Sequence, residues 1–189
     1  MFGNNSFSLN MNTAQEYLTE FKTHRDFQSG TALLAKDENL RTAIFNEIAS
    51  EDYPFPEYSS WIAVHFFEKH PGLMTREQFD SMVSVLLRTK NHTVQRNLTN
   101  ALVPAPFNCS ENGELLDLLI DFLHQSEALP ALKYHALRMI EQHFLPAYPE
   151  LMRELRTLFE VISNHPKKSM QAMARNFEKK YRKHPYYEQ

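Results

Sequence analysis

Apolar residues recur along this chain at the three- and four-residue spacing of helical turns, and whole sets of them repeat. A set that begins at Phe79 returns 37 and then 36 residues later, and each copy is followed by a second apolar set. Two helical stripes within each such period are typical of stacked helix pairs. The first-helix sets are Phe79, Met82, Val85 and Leu86; Leu116, Leu119, Phe122 and Leu123; and Met152, Leu155, Leu158 and Phe159. The second-helix sets close at Phe66, Leu102, Ile140 and Phe177.

Proline and glycine separate the periodic segments, and no stretch shows the strict alternation of a half-buried strand. The pattern therefore predicts an all-α chain, an α-α superhelix of about four helix pairs. Two capping boxes, Thr13 with Glu16 and Thr75 with Gln78, predict helix starts. We expect helices over 13–23, 38–50, 57–69, 76–89, 93–102, 113–126, 131–144, 150–163 and 167–183, and a further short helix over 31–36 if that segment is independent.

The composition is that of one compact globular domain, with 42% apolar and 23% charged residues in a chain of 189. We expect a single solenoid domain over 11–184, a flexible N-terminal tail over 1–10 and a C-terminal tail over 185–189. Charge is uneven, because 165–189 holds seven Lys and Arg against two Asp and Glu, whereas 1–164 holds 13 against 21. A basic end on an acidic body favours an anionic partner, or contact with the acidic surface of another copy.

The chain offers little for catalysis or metal binding. Its only cysteine, Cys109, excludes an intrachain disulfide, and we expect an exposed or incidental thiol there. Neither His65 with His70 nor His135 with His143 has the i,i+4 spacing of two metal ligands on one helical face. Without a phosphate-binding loop, a nucleophile elbow or a metal motif, we predict a non-enzymatic protein with no cofactor and no metal. The N-terminus lacks a secretory signal and the apolar runs are too short to span a bilayer, so a cytoplasmic location is predicted.

Four segments share a short polar or proline turn that leads into an apolar helix with small and basic residues: 58–69, 91–102, 129–140 and 168–180. They resemble the turn and second helix of HEAT repeats. Order and length are also similar to short single-domain bacterial HEAT-like proteins, some of which carry an adenylosuccinate lyase name. The chain lacks the Gly-Ser-Ser-x-Met-Pro-x-Lys-x-Asn loop that such lyases share, so that activity is not predicted. The resemblance implies a right-handed HEAT/armadillo-like solenoid whose second helices present a concave surface to a protein partner.

The final predicted helix carries the sharpest surface feature. One stripe is apolar (Met170, Met173, Ala174, Phe177 and Tyr181), and the opposite face carries four cations spaced to meet one phosphate backbone or one acidic groove. A solvated face on a terminal repeat would have the same composition. Arg138 lies 37 residues before Arg175, which is one of these cations. It would extend the basic stripe if that repeat column lies on the inner curve. The candidate partner-binding residues are Arg138, Lys168, Arg175, Lys179 and Arg182.

Aromatic residues at helical positions are candidates to line a groove, although burial is the commoner fate and we expect about four of six to be core. Tyr186 and Tyr187, which follow Pro185, are expected either to dock on a neighbour or to be disordered. The six aromatic residues are Trp61, Phe66, Phe67, Tyr134, Phe144 and Tyr148.

Three functions fit these features. The first is a non-enzymatic scaffold or adaptor that binds a protein partner. The alternative is a nucleic-acid-binding HEAT-like protein that uses the basic final helix, with DNA repair as one role, although a net charge of −3 and a pI near 6.3 argue against it. The third is self-association through the basic end and the acidic body of two copies, which light scattering across ionic strength would detect.

Overall fold

The computed structural model of this chain describes residues 13–125 and 127–187. Within them all regular structure is helical, which confirms the all-α prediction; the predicted flexible tail over 1–10 lies outside the described residues. Short 3₁₀ turns occupy Glu47–Ala49 and Pro71–Leu73, and a π turn occupies Ile140–Phe144. The α-helices are α1 (Ala14–His24), α2 (Phe27–Lys36), α3 (Glu38–Asn46), α4 (Phe55–Lys69), α5 (Arg76–Arg88), α6 (His92–Leu102), α7 (Gly113–His124), α8 (Pro130–Met139), α9 (Leu151–Ser163) and α10 (Lys168–Tyr181).

Side-chain caps determine where several helices begin. At α5 the predicted capping box is complete, because the Gln78 backbone N–H donates to Thr75 Oγ1 at 3.2 Å and the Thr75 N–H donates to Gln78 Oε1 at 3.1 Å. At α1, Thr13 Oγ1 accepts a hydrogen bond from the Glu16 N–H at 3.1 Å. Each bond satisfies a backbone group that the first helical turn leaves without an intrahelical partner.

The short second segment is an independent helix and is longer than predicted. Asp26 is its N-cap and accepts a hydrogen bond from the Ser29 N–H at 3.0 Å, so α2 begins at Phe27, four residues before the predicted start. Arg25, just before this cap, ends α1 in the left-handed conformation, with φ of 52°. A left-handed residue at a helix C-terminus reverses the chain direction and separates α1 from α2.

The chain forms two compact units, Met1–Phe107 and Asn108–Gln189, and each has its own buried apolar residues. In the first unit α4 and α6 pack directly on each other. Asn97 of α6 donates its side-chain N–H to Ser60 Oγ of α4 at 3.1 Å, and both side chains are buried. The core of this unit includes Tyr17, Phe21, Phe66, Phe67 and Phe79.

The second unit joins its helices through both apolar and polar contacts. The rings of Phe159 on α9 and Phe177 on α10 stack with centroids 4.1 Å apart. Lys133 on α8 is buried and its Nζ donates to the Leu123 carbonyl of α7 at 2.7 Å. Burial lowers the pKa of Lys133. The hydrogen bond satisfies a carbonyl at the end of α7, where the helix offers no backbone partner. It forms even though removing the ammonium group of Lys133 from water is unfavourable.

Three expectations need correction. In α7, Leu115 is buried and Leu116 is partly exposed, so the core stripe begins one residue before the predicted one. Leu115 and Leu119 stand at i and i+4. This spacing places two side chains on one helical face as well as the i, i+3 spacing of Leu116 and Leu119 does. Cys109 is buried rather than exposed. Of the six candidate aromatic residues, three rather than the expected four are buried: Phe66, Phe67 and Phe144. Trp61 is partly exposed, and Tyr134 and Tyr148 are exposed.

The segment after α10 folds back onto its own unit. The guanidinium of Arg153 lies 5.2 Å from the ring centroid of Tyr186, and that of Arg156 lies 5.4 Å from the centroid of Tyr187. Arg156 Nη1 also donates to the Tyr187 carbonyl at 2.6 Å. These tyrosines therefore dock on α9 of the same chain.

Candidate functional site: a groove between α8 and α10

A groove of about 680 Å³ lies between α8 and α10 in the second unit. Leu137, Met170 and Phe177 form its floor and are at most 5% exposed. Tyr134 and Met173 form its walls and are accessible to solvent. The groove is thus an apolar surface that has no covering helix in the described part of the unit.

Helical periodicity explains which side chains reach the groove. On the α8 side they lie at i, i+3, i+4 and i+7, and on α10 they recur every three or four residues, so each helix contributes one stripe. Small residues at Ala131 and Ala172 leave the space between the stripes open. The polar side chains that line it are Arg138, Glu141, Ser169, Asn176 and Lys180.

One ion pair joins the two helical segments at the groove. Lys180 Nζ lies 2.8 Å from Glu141 Oε2, which belongs to the π turn after α8. The Glu141 side chain is 15% exposed. Burial alone would lower the pKa of Lys180, but hydrogen bonds to Glu141 and Tyr181 outweigh it and the pKa is raised. The ion pair contributes no net charge to the groove.

Arg138 is the other charged side chain at the groove. Its side chain is exposed, and the guanidinium lies 6.0 Å from the ring centroid of Tyr134, one turn earlier on α8. Within residues 13–125 and 127–187 it forms no ion pair. The groove therefore carries a cation that is available to a ligand.

The five candidate partner-binding residues do not form one surface. Arg138 lines the groove, whereas Arg175 lines a separate depression of about 230 Å³ between α9 and α10. The other three, Lys168, Lys179 and Arg182, are exposed on the same face of α10 as Arg175, so Arg138 is the residue that lies apart. Arg175 follows Met173 by two residues, which turns it about 200° around the helix, away from the groove. A shared repeat column therefore does not place Arg138 and Arg175 on one continuous basic stripe.

Some groove residues were not identified from the sequence. Glu141 and Lys180 are 39 residues apart, and nothing in their local sequence distinguishes them from other exposed charges. Asn176 occupies an exposed position that the sequence pattern treats as ordinary helix surface. Tyr134 was one of the six aromatic candidates for a groove, and it lines this one.

The described residues contain no group of three or more His, Cys, Asp or Glu side chains placed to hold a metal ion. In the same part of the chain, no helix has both the length and the apolar character needed to span a bilayer.

Comparison with known families identifies the fold. The profile of the HEAT repeat domain family matches residues 14–181. The chain belongs to the HEAT repeat family. HEAT repeats generally act as protein-interaction scaffolds and are typically non-enzymatic. Among curated proteins and solved structures, none matches the chain. In HEAT terms α8 and α10 are the second helices of two successive pairs, so the groove lies where second helices face each other.

Proposed function

We propose that this chain is a non-enzymatic scaffold that binds a segment of a partner protein in the groove between α8 and α10. The observation that carries the proposal is an open groove between two helices whose apolar walls, Tyr134 and Met173, remain accessible to solvent. Burial of such a surface by a partner is favourable, at about 25 cal/mol for each Å² removed from water. A rigid groove between packed helices also loses little conformational entropy on binding.

The side chains at the groove are those that favour protein recognition. Tyrosine and arginine are enriched among the residues that dominate interface energies, and Tyr134 and Arg138 are both exposed at this site. Met173 adds a flexible, polarisable side chain that can adapt to the shape of a partner. Helices commonly bind other helices in grooves of this kind.

A charge placed in the groove tests this function. In Met173→Glu a carboxylate replaces a partly exposed apolar wall, and burying it under a partner would cost several kcal/mol, about a hundredfold or more in binding. The tagged chain is used to capture proteins from a cell extract split into nuclease-treated and untreated halves. We expect one protein to be captured in both halves by the unmodified chain and to be absent with the Met173→Glu variant.

The matched control is Val161→Glu, which makes the same apolar-to-acidic change on α9 at a side chain that is 69% exposed. It should retain the captured protein, and far-UV circular dichroism should show that both variants keep their helix content. Equal capture by Met173→Glu and the unmodified chain would refute binding in the groove.

A second candidate function is binding of nucleic acid by α10. Lys168, Lys179 and Arg182 are exposed, and in the described part of the chain they form no ion pair. A titration with duplex and single-stranded DNA at low salt tests this candidate. Replacing all three cations by glutamate should lower the salt dependence of binding by about one unit of slope for each phosphate that the protein no longer neutralises. Capture only from the extract half without nuclease would favour this function over the scaffold.

A further inference from the structure

The charges around the groove indicate what kind of segment it binds. The two helical segments on either side of the groove, 130–144 and 168–181, contain two acidic side chains, Glu141 and Glu178. Glu141 is paired with Lys180, and Glu178 lines the depression on the α9 side of α10. Arg138 is therefore the charge that the groove leaves for a ligand.

We propose that the occupant of the groove is an amphipathic helix of a partner protein that carries a carboxylate beside its apolar face, and that this carboxylate pairs with Arg138. This inference rests on the proposed scaffold function and names the chemistry of the partner. A guanidinium binds a carboxylate through two parallel hydrogen bonds, which gives both affinity and orientation. The nearby ring of Tyr134 limits the freedom of the guanidinium before the ligand arrives.

The dimensions of the groove favour a helix. Tyr134 and Glu141 are seven residues apart, which is about 10 Å along a helix at a rise of 1.5 Å per residue. That length matches about two turns of a ligand helix, whose anchors at i, i+3 or i+4 and i+7 would meet the apolar floor. The walls are helices whose backbone groups are bonded internally, so the groove has no strand edge that an extended peptide could pair with.

The ion pair between Glu141 and Lys180 makes the electrostatics of the groove asymmetric. A ligand carboxylate near Arg138 is attracted, whereas one at the π turn must compete with Glu141 for Lys180. In Glu141→Gln, Lys180 loses its charged partner and becomes a second cation for the ligand. The variant should therefore bind an acidic helix more tightly than the unmodified chain does.

Three labelled model peptides test the inference on the full chain. Each is an amphipathic helix of about 18 residues with leucine at i, i+3, i+4 and i+7, long enough to hold helical structure on binding. They differ only in the residues beside the apolar face, which are glutamate, glutamine or lysine. Fluorescence anisotropy gives the dissociation constants, and we expect the glutamate peptide to bind about tenfold more tightly than the glutamine peptide.

Three arginine variants provide the matched comparison. Arg138→Gln should remove the advantage of the glutamate peptide, and Arg138→Glu should transfer the preference to the lysine peptide. Arg175→Gln makes the same change in the depression on the other side of α10 and should leave the preference as it is. The Glu141→Gln variant should increase the preference for the glutamate peptide.

Three results would overturn the inference. Equal binding of all three peptides that is abolished by Met173→Glu would leave the groove as a docking site and exclude a specific carboxylate. Failure of all three peptides, while capture from extract still depends on Met173, would exclude an acidic helix and retain the scaffold. An identical effect of Arg138→Gln and Arg175→Gln would show that only general charge attracts the peptide.

Discussion

His65 lies half-buried on α4, with its ring centroid 3.8 Å from that of Phe27 and 6.1 Å from that of Trp61. Burial lowers the pKa of His65, although the nearby Glu68 carboxylate acts in the opposite direction. The imidazolium is therefore less stable in the folded chain than in the unfolded chain. Between the folded pKa and the unfolded value near 6.5, the unfolded chain binds more protons. The stability of the first unit should fall as the pH decreases through this range.

Replacing this histidine tests the pH dependence. In His65→Gln the free energy of unfolding should change less between about pH 7.5 and about pH 5.5 than in the unmodified chain, because the titrating group is gone. Urea unfolding followed by the fluorescence of Trp61 measures it. His92→Gln makes the same substitution at an exposed position on α6 and is the matched control. If the free energy of unfolding depended on pH equally in His65→Gln and His92→Gln, groups other than His65 would be responsible for that dependence.

The π turn is an element that the periodic pattern does not reveal. The sequence predicts one helix over 131–144, and the structure has α8 followed by a turn in which the Leu145 N–H bonds to the Ile140 carbonyl, five residues back. Apolar residues on both sides of the turn are buried, so the sequence periodicity continues through it. A π turn holds one residue more than an α turn, and π turns occur frequently at functional sites.

A single-residue deletion should distinguish this turn from an ordinary helix. Removing the exposed Gln142 would bring Leu145 to i+4 from Ile140, so the segment can continue as an α-helix with a small loss of stability. Removing the exposed Thr157 from α9 would instead rotate Leu158, Phe159 and Ile162 by about 100° out of the core. Thermal unfolding followed by circular dichroism should show a much larger decrease in midpoint for the second deletion. Equal decreases in the unfolding midpoint would contradict the interpretation that the π turn holds one residue more than an α-helix needs.

The helices themselves could be predicted because their signals are local. Apolar spacing and the capping box at Thr75 located α5 within one residue at its C-terminus, and the pairs from α5 to α10 followed the repeat. The predicted start of α2 is wrong because the N-cap of this helix, Asp26, lies five residues before it. The stripe of α7 was misplaced by one residue because Leu115 and Leu116 are equally apolar in sequence. Only packing shows which of the two faces the core.

The groove was harder to predict because it depends on the rotation of each helix about its own axis. Arg138 and Tyr134 were candidates, but the sequence grouped Arg138 with Arg175, which the structure places at a different depression. A repeat period records that two residues occupy equivalent positions in successive copies. It does not record how far α10 turns relative to α8, and that rotation decides which side chains meet.

At the scale of the whole molecule, the prediction of one solenoid domain over 11–184 can be tested with the single tryptophan of the chain. Trp61 lies in the first unit, and Phe159 lies in the second, where it is 3% exposed. Phe159→Ala should destabilise the second unit by about 3–5 kcal/mol. In one cooperative repeat array, the unfolding midpoint reported by Trp61 fluorescence should decrease together with the midpoint reported by circular dichroism.

Val161→Ala, at an exposed position on the same helix, is the control and should leave both midpoints within the range of a surface substitution. A Trp61 midpoint that stays constant in Phe159→Ala would show that the units unfold independently. The domain boundary would then lie near Phe107.

The methionine wall of the groove should also make the proposed binding sensitive to oxidation. Met170 is buried at 1% exposure, whereas Met173 is partly accessible and should react first with peroxide. A sulfoxide at Met173 converts a flexible apolar side chain into a polar one, and methionine sulfoxide reductases reverse the change. An oxidised chain would therefore remain folded and release its partner, and it would recover binding once the thioether is restored.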